Sequence, residues 1–376
     1  MGGGIARWIG ALAACHPPES LVVSTGAFAG SEAFDAGCVS RVDRIGVPAS
    51  RLRTIGGLLA WSRRALQLAA PPTVRFAWCG NVRPAIYPAF AAHHRRGLPF
   101  GVIVHGGDLL TLRERMRAGR WKRHLFRRML AATSVFVANS SWTARACGDL
   151  LAELGIDGDV RVVPPGTDPV RFHPDRVAGD RFRVSRGLPA GRWLVTVARL
   201  VHHKGIDTAI AALASIAEAR PDLQYAVIGR GDDLTRLADL ATRLGIRERV
   251  HFVTDVDDKE LPSAYGMGDI YLGLSREDGI EVEGFGIALL EAAATGLPVI
   301  AGRSGGTSDA VADGVTGHLI DPLSADDAAR VIASLLDDPD HAARLGRAGR
   351  ERVIAEFTWD AVVTRLQSLG EEFGRR

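Results

Sequence analysis

Leu194-Val195-Thr196-Val197-Ala198-Arg199-Leu200-Val201-His202-His203-Lys204-Gly205 reads as a strand, then a loop with two cations, then the start of an amphipathic helix from Ile206. The β-branched run suits a buried extended strand, and its abrupt change to a polar loop marks the strand end. The same unit recurs on either side. Downstream, 225–228, 250–253, 270–274, 298–301 and 318–320 read as strands; upstream, so do 21–24, 76–79, 100–104, 135–138 and 160–163, with helical segments between most of them. Such alternation predicts an α/β fold of doubly wound parallel sheets. Pro164-Pro165-Gly166-Thr167-Asp168 interrupts it, and the polar stretch through Gly191 reads as the connection between two domains. A chain of 376 residues can give each domain its own core.

Two cations after a strand point to an anion. Arg199 can grip a phosphate with its planar fork, and Lys204 adds a point charge. A second segment supplies the complement. Glu283-Gly284-Phe285-Gly286-Ile287-Ala288-Leu289-Leu290-Glu291 places two carboxylates around a Gly-Phe-Gly turn, with an apolar helical run ending at Thr295-Gly296. Eight helical steps put the acids about 12 Å apart. That span suits a nucleoside-diphosphate sugar, with one acid near the sugar and the other near the ribose. The helix start between them faces the diphosphate, because free amides and the positive dipole end favour an anion there.

Arg199 to Gly205, Glu283 to Glu291 and the downstream Gly305-Gly306-Thr307-Ser308-Asp309-Ala310-Val311-Ala312-Asp313-Gly314-Val315-Thr316-Gly317 together resemble the group 1, or family 4, retaining glycosyltransferases of GT-B fold. The resemblance runs over nearly the whole chain and is strongest over 161–321. It implies two Rossmann-like domains facing across a cleft. The boundaries expected are 1–175 for an acceptor-side domain and 176–357 for a donor-binding domain, with the tail helix 358–376 packing back onto the first. It implies transfer of a hexose-type sugar from a UDP-, GDP- or dTDP-sugar to an acceptor hydroxyl on a natural product, a lipid or a polysaccharide. The chemistry is expected to be metal-independent and to retain anomeric configuration. The catalytic set is His105, Arg199, Lys204 and Glu283. The donor-binding set is Gly3, Gly4, Arg199, Lys204, Thr254, Gly284, Phe285, Gly286 and Glu291. Glu281 competes with Glu283, but the spacing to Glu291 and the adjoining Gly-Phe-Gly favour Glu283. Gly305-Gly306 is expected to let backbone approach the ligand.

His105 ends a strand and enters the loop His105-Gly106-Gly107-Asp108, where open α/β sheets place ligands. The resemblance sets it facing the donor sugar, donating a hydrogen bond while neutral. Asp108 either binds the acceptor or caps the next helix. The opening Gly2-Gly3-Gly4-Ile5-Ala6-Arg7-Trp8 is similar to the family's glycine-rich loop and helix, which normally follow a first β-strand. That strand is missing here, so the expectation is a start site assigned too late or a truncated chain.

Composition narrows the remaining choices. The net charge of +3 is too small to imply nucleic acid. Cys15, Cys38, Cys79 and Cys147 are scattered, without zinc or disulfide spacing. No apolar run reaches the roughly 18 residues needed to cross a bilayer. The stretch 5–15, broken by Arg7, is a poor signal peptide, and the expected location is cytoplasmic. Over 113–128, Glu114 is the only acid among many arginines and lysines, with Trp121, Leu125 and Phe126 interleaved. A solvated amphipathic helix accounts for this segment; peripheral contact with an anionic membrane is the alternative. Three other functions compete. A GT-B epimerase would need no acceptor. A nicotinamide oxidoreductase would need a third glycine after Gly229-Arg230-Gly231, which is absent. An inactive sugar-nucleotide-binding remnant would bind donor without turnover.

Overall fold

The computed structural model of the protein describes residues 4–375. They divide into two compact units, one spanning Gly166–Thr358, the other made of the described residues up to Pro165 together with those from Trp359 onward. The strands are β1 (Val22–Ala27), β2 (Arg41–Pro48), β3 (Ala77–Cys79), β4 (Phe100–Val104), β5 (Val135–Ala138), β6 (Val160–Val162), β7 (Arg192–Val197), β8 (Leu223–Ile228), β9 (Val250–Val253), β10 (Ile270–Gly273), β11 (Val299–Gly302) and β12 (Gly317–Ile320).

In the Gly166–Thr358 unit one sheet runs β12-β11-β10-β7-β8-β9, and every pairing is parallel. Its strands are apolar on both faces because both are covered. Successive residues go to opposite sides: Leu194 and Tyr225 to one core, Val195 and Ala226 to the other. Helices Ile206–Ile216 and Ala325–Asp337 fill the first side. In the second of these Ala328, Val331, Ile332 and Leu335 fall on one helical face and are buried. Helices Leu261–Gly266 and Ile287–Ala294 fill the other side. The strand order sets the site. From β7 the chain winds outward through β8 to β9, then returns to lay β10 on the opposite flank of β7. The loops leaving the carboxyl ends of β7 and β10 therefore diverge, and ligands of open α/β sheets bind at such a switch point.

The expected connection through Gly191 is mostly not a connection. Residues within it form the helix Arg176–Ser185, where Phe182 is buried in the core of the Gly166–Thr358 unit and Gly179 lies against Gly266. Its arginines hide it in the sequence. Arg176, for example, binds Asp269 and the carbonyl oxygens of Met267 and Gly268.

The other unit holds two sheets, a parallel pair β1-β2 and a four-stranded parallel sheet β3-β4-β5-β6. Sequence reading misses β2, because its charged residues obscure the alternation. Asp43 is buried on it and paired with Arg64 at 2.5 Å. The helix Trp359–Gly374 belongs to this unit, with Val362, Val363 and Leu366 packed among Trp8, Leu12, Ile103, Val137 and Val163. Gly4 opens the helix Gly4–Cys15; Gly3 lies outside the described residues.

Candidate active site

The β7 and β10 loops meet at the carboxyl edge of the Gly166–Thr358 sheet. Leaving β7, the chain makes a short turn at His202–Lys204 and enters the helix Ile206–Ile216 through Gly205. Gly205 has φ +64°, and a Cβ there would run into the carbonyl oxygen of Leu274. Only glycine allows both the left-handed turn and this approach. The amide of Arg276 then donates to the carbonyl of His203 at 2.8 Å. Three consecutive side chains of the first loop meet acids of the second. His202 Nδ1 lies 2.7 Å from Asp278, His203 Nδ1 lies 3.6 Å from Glu281, and Lys204 Nζ donates to Glu283 Oε2.

This pairing separates the two competing acids. Glu281 is largely exposed, whereas Glu283 is mostly buried and also accepts from Ser275 Oγ at 3.3 Å. Burial alone would raise the Glu283 pKa. The adjacent Lys204 charge and its hydrogen bond outweigh that, and the carboxyl is held below its ordinary range. Burial, reinforced by Lys204, pushes His203 below its ordinary value, so it stays neutral. Arg199 is exposed on the same loop and acts electrostatically on His203.

Gly305-Gly306 packs against the backbone of Glu283. The Gly306 amide donates to the Glu283 carbonyl at 2.9 Å, and Gly305, at φ +56°, leaves no room for a Cβ beside that carbonyl. The acid loop is thus held from the β11 side. Gly284, Phe285 and Gly286 are buried and lead into the helix Ile287–Ala294, with Gly286 as its N-cap. Phe285 anchors the turn against Phe357 at 5.8 Å between ring centroids. The Leu289 amide donates to the Gly286 carbonyl at 2.9 Å, and the amides of Ile287 and Ala288 ahead of it have no intrahelical acceptor by geometry. Glu291 lies farther inside than a purely ligand-facing acid. It is 3% exposed, and its Oε2 accepts from Tyr265 Oη at 2.7 Å.

Thr254 stands apart from this cluster. It follows β9, two strands away from β7, or about 10 Å by sheet spacing. Its carbonyl accepts from Arg230 Nε. Three segments with Asp-x-Asp spacing are engaged elsewhere. Asp255 pairs with Arg186 and Asp257 accepts from the amides of Lys259 and Glu260; Asp159 pairs with Arg161; Asp338 caps the helix Pro339–Glu356. Among the described residues no three His, Cys, Asp or Glu side chains converge as a metal cluster.

His105 belongs to the other unit, at the carboxyl end of β4. Its Nε2 lies 2.9 Å from the carbonyl oxygen of Gly80, and its ring meets Trp8 edge-on at 4.9 Å. A carbonyl only accepts, so Nε2 carries the hydrogen. Burial, opposed by the charge of Asp108, holds the ring neutral. A neutral ring then offers Nδ1 as an acceptor, which reverses the expected donor role. Asp108 accepts from the His105 amide at 2.9 Å and so fixes this loop. The basic segment forms two helices, Gly107–Arg117 and Arg120–Ala131, broken at Ala118-Gly119. Phe126 is buried, while Trp121 is 68% exposed among exposed Arg115, Arg117, Arg120 and Arg128.

Sequence reading passes over Asp207, Ser275 and Arg276. The signal for the last two is their place, directly after the carboxyl end of β10.

Residues 181–352 match the family model of glycosyl transferases group 1, and residues 2–171 match that of glycosyltransferase family 4. A GDP-mannose-dependent alpha-(1-6)-phosphatidylinositol monomannoside mannosyltransferase of Mycolicibacterium smegmatis is 39% identical over 209 residues, 55% of each chain. A D-inositol 3-phosphate glycosyltransferase of Corynebacterium jeikeium is 35% identical over 223 residues, 57% of this chain and 52% of that one. The chain thus spans little more than half the length of these two relatives. Among solved structures, Anabaena HepE in complex with UDP and glucose has a TM-score of 0.78 at 19% identity, covering 98% of this chain and 95% of that one. A glycosyltransferase from Rickettsia africae has a TM-score of 0.79 at 18% identity, covering 99% and 95%. At such identities the likeness carries the fold alone, and that fold is GT-B.

Proposed function

Because the chain belongs to the group 1, family 4 glycosyltransferases, we propose that it transfers a hexose-type sugar from a nucleoside-diphosphate sugar to an acceptor hydroxyl, with retention and without a metal. The observation that carries this is the Lys204–Glu283 pair at the β7/β10 switch point, beside Arg199 and the amino end of the helix Ile287–Ala294. Residues 166–358 form the donor side in this reading, and the rest of the chain the acceptor side.

Departure of the nucleoside diphosphate leaves negative charge on phosphate while positive charge grows at the anomeric carbon. Lys204, Arg199 and the amides ahead of Ile287 stabilise the first. Such contacts accelerate the reaction only so far as they strengthen in the transition state. Glu283 is paired with Lys204. The incoming diphosphate takes over the lysine, and Glu283, fully ionised, turns to sugar hydroxyls. Glu291 binds the ribose hydroxyls in exchange for Tyr265. His105 Nδ1 accepts from a sugar hydroxyl. Glu283 and Glu291 bracket the donor and do not form the nucleophile–acid pair of a retaining glycosidase, whose carboxyls lie about 5 Å apart. Retention follows instead if the leaving phosphate takes the acceptor's proton on the face it departs from.

The mannosyltransferase relatives make GDP-mannose the first donor to try. The decisive experiment incubates the full chain with each sugar nucleotide and a panel of lipid, polyol and oligosaccharide acceptors, and reads product anomericity by NMR. Donor binding with no transfer to any acceptor would favour the binding remnant; a changed donor epimer without acceptor would favour the epimerase. A second reading concerns place. The exposed Trp121 among arginines supports peripheral contact with an anionic membrane from the cytoplasmic side. Co-sedimentation with vesicles rich in acidic lipid, lost on Trp121→Ala, is the expected result; equal sedimentation with neutral vesicles would refute it.

A further inference from the structure

We propose that Arg276 is a positioning residue of the donor site, holding Lys204 and Glu283 in register by tying the loop after β10 to the loop after β7. This rests on the donor-binding role given above to those two residues. Arg276 is 7% exposed. Its backbone amide binds the His203 carbonyl at 2.8 Å. Its guanidinium donates to Asp207 Oδ2 at 2.7 Å and to Thr208 Oγ1 at 3.3 Å. The anchor points at residues 203 and 207 therefore bracket Lys204 along the chain. On its own loop Arg276 follows Ser275, whose hydroxyl donates to Glu283. The Arg276 guanidinium thus ties the loop that carries Ser275 and Glu283 to residues 207 and 208, just past Lys204, and its backbone amide adds a second tie at His203.

Burying an arginine and an aspartate is costly, and well-packed apolar residues of similar size often serve stability as well or better. The pair links the loop after β10 to the start of the helix Ile206–Ile216, and so joins two segments whose side chains must be aligned within a fraction of an ångström. Asp207 is shared with Arg236 at 3.4 Å and lies 3.9 Å from His202 Nε2, so the anchor continues to the imidazole two residues before Lys204. Lys204–Glu283 is the exchangeable pair, and Arg276–Asp207 is the fixed one.

The test compares full-length Arg276→Lys and Arg276→Gln with wild type in steady-state assays, varying donor and acceptor separately. Lysine keeps the charge opposite Asp207 but cannot also span to Thr208. We expect donor KM to rise about threefold to tenfold in the lysine variant and about thirtyfold or more in the glutamine variant, with acceptor KM within about twofold. A merely structural residue would lower the active fraction, so kcat would fall while both KM values stayed put. That pattern overturns the proposal, as does a folded Arg276→Lys whose donor KM matches wild type. If the glutamine variant does not fold, the lysine variant decides. Should wild type turn over no sugar nucleotide, the functional reading fails first, and Arg276 is judged by affinity for GDP and UDP alone.

Discussion

Lys204 and Glu283 hold each other, and in the function proposed above the donor diphosphate exchanges with the acid. Lys204→Ala should cost about a hundredfold or more in turnover, by analogy with loss of an oxyanion donor. Near-native kcat in that variant would remove Lys204 from the chemistry. Gly305 works one step back. Replacing it with alanine forces a side chain into a left-handed position and against the carbonyl of Glu283. Gly305→Ala should therefore cost about 1–3 kcal/mol of stability and displace the acid loop. Urea denaturation together with donor KM checks it; unchanged values in both would mean that the loop yields freely. His105 shows how a hydrogen bond corrects a role. The residue type and its place after a strand are visible in the sequence, but the tautomer depends on the Gly80 carbonyl, which lies 25 positions away in the chain.

At the scale of elements, the helix Ile287–Ala294 carries Glu291 into the core rather than along a surface. Its register is set on one side by Phe285 and on the other by the Tyr265–Glu291 hydrogen bond. Tyr265→Phe should destabilise the protein by about 1.5–3 kcal/mol, the range for a hydrogen bond to a charged group. Chemical denaturation reads this directly; a change below about 0.5 kcal/mol would show that the hydroxyl is replaced locally. The strands and the β7 and β10 loops were legible because apolar runs that change abruptly to polar residues are local signals. The helix Arg176–Ser185 and β2 were not, since in both the charged residues are neutralised by partners distant in sequence. Asp43 is unremarkable for burial until Arg64 stands beside it.

For the whole molecule, pH should act on stability in one direction. His105, His203, His251 and His318 all have pKa values lowered from 6.5, with burial the leading cause in each. Their folded-state values lie below the unfolded one, so the unfolded chain takes up protons first as pH falls. The stability they contribute is complete above about pH 6.5 and is lost as pH drops toward the folded values. Glu283 and Asp207, also lowered, add a further loss below the ordinary carboxylate range. Tm should fall steadily from pH 7 to pH 5; a flat profile would contradict buried neutral histidines. A cognate sugar nucleotide at a hundred times its Kd should raise stability by about 2.7 kcal/mol, visible as a thermal shift.

Alternating apolar runs, the cations after β7 and the Gly-Phe-Gly between two acids determined the α/β class and the family, because each is written in consecutive residues. Partners separated by many residues were decided only by folding: which acid meets Lys204, what Gly305 leans on, which nitrogen of His105 holds its proton, and that Arg276 meets Asp207. The physical reason is that charge pairing and close approach depend on distances in space. Parallel strand order fixes those distances by bringing the ends of β7, β10 and β11 side by side from positions about 100 residues apart.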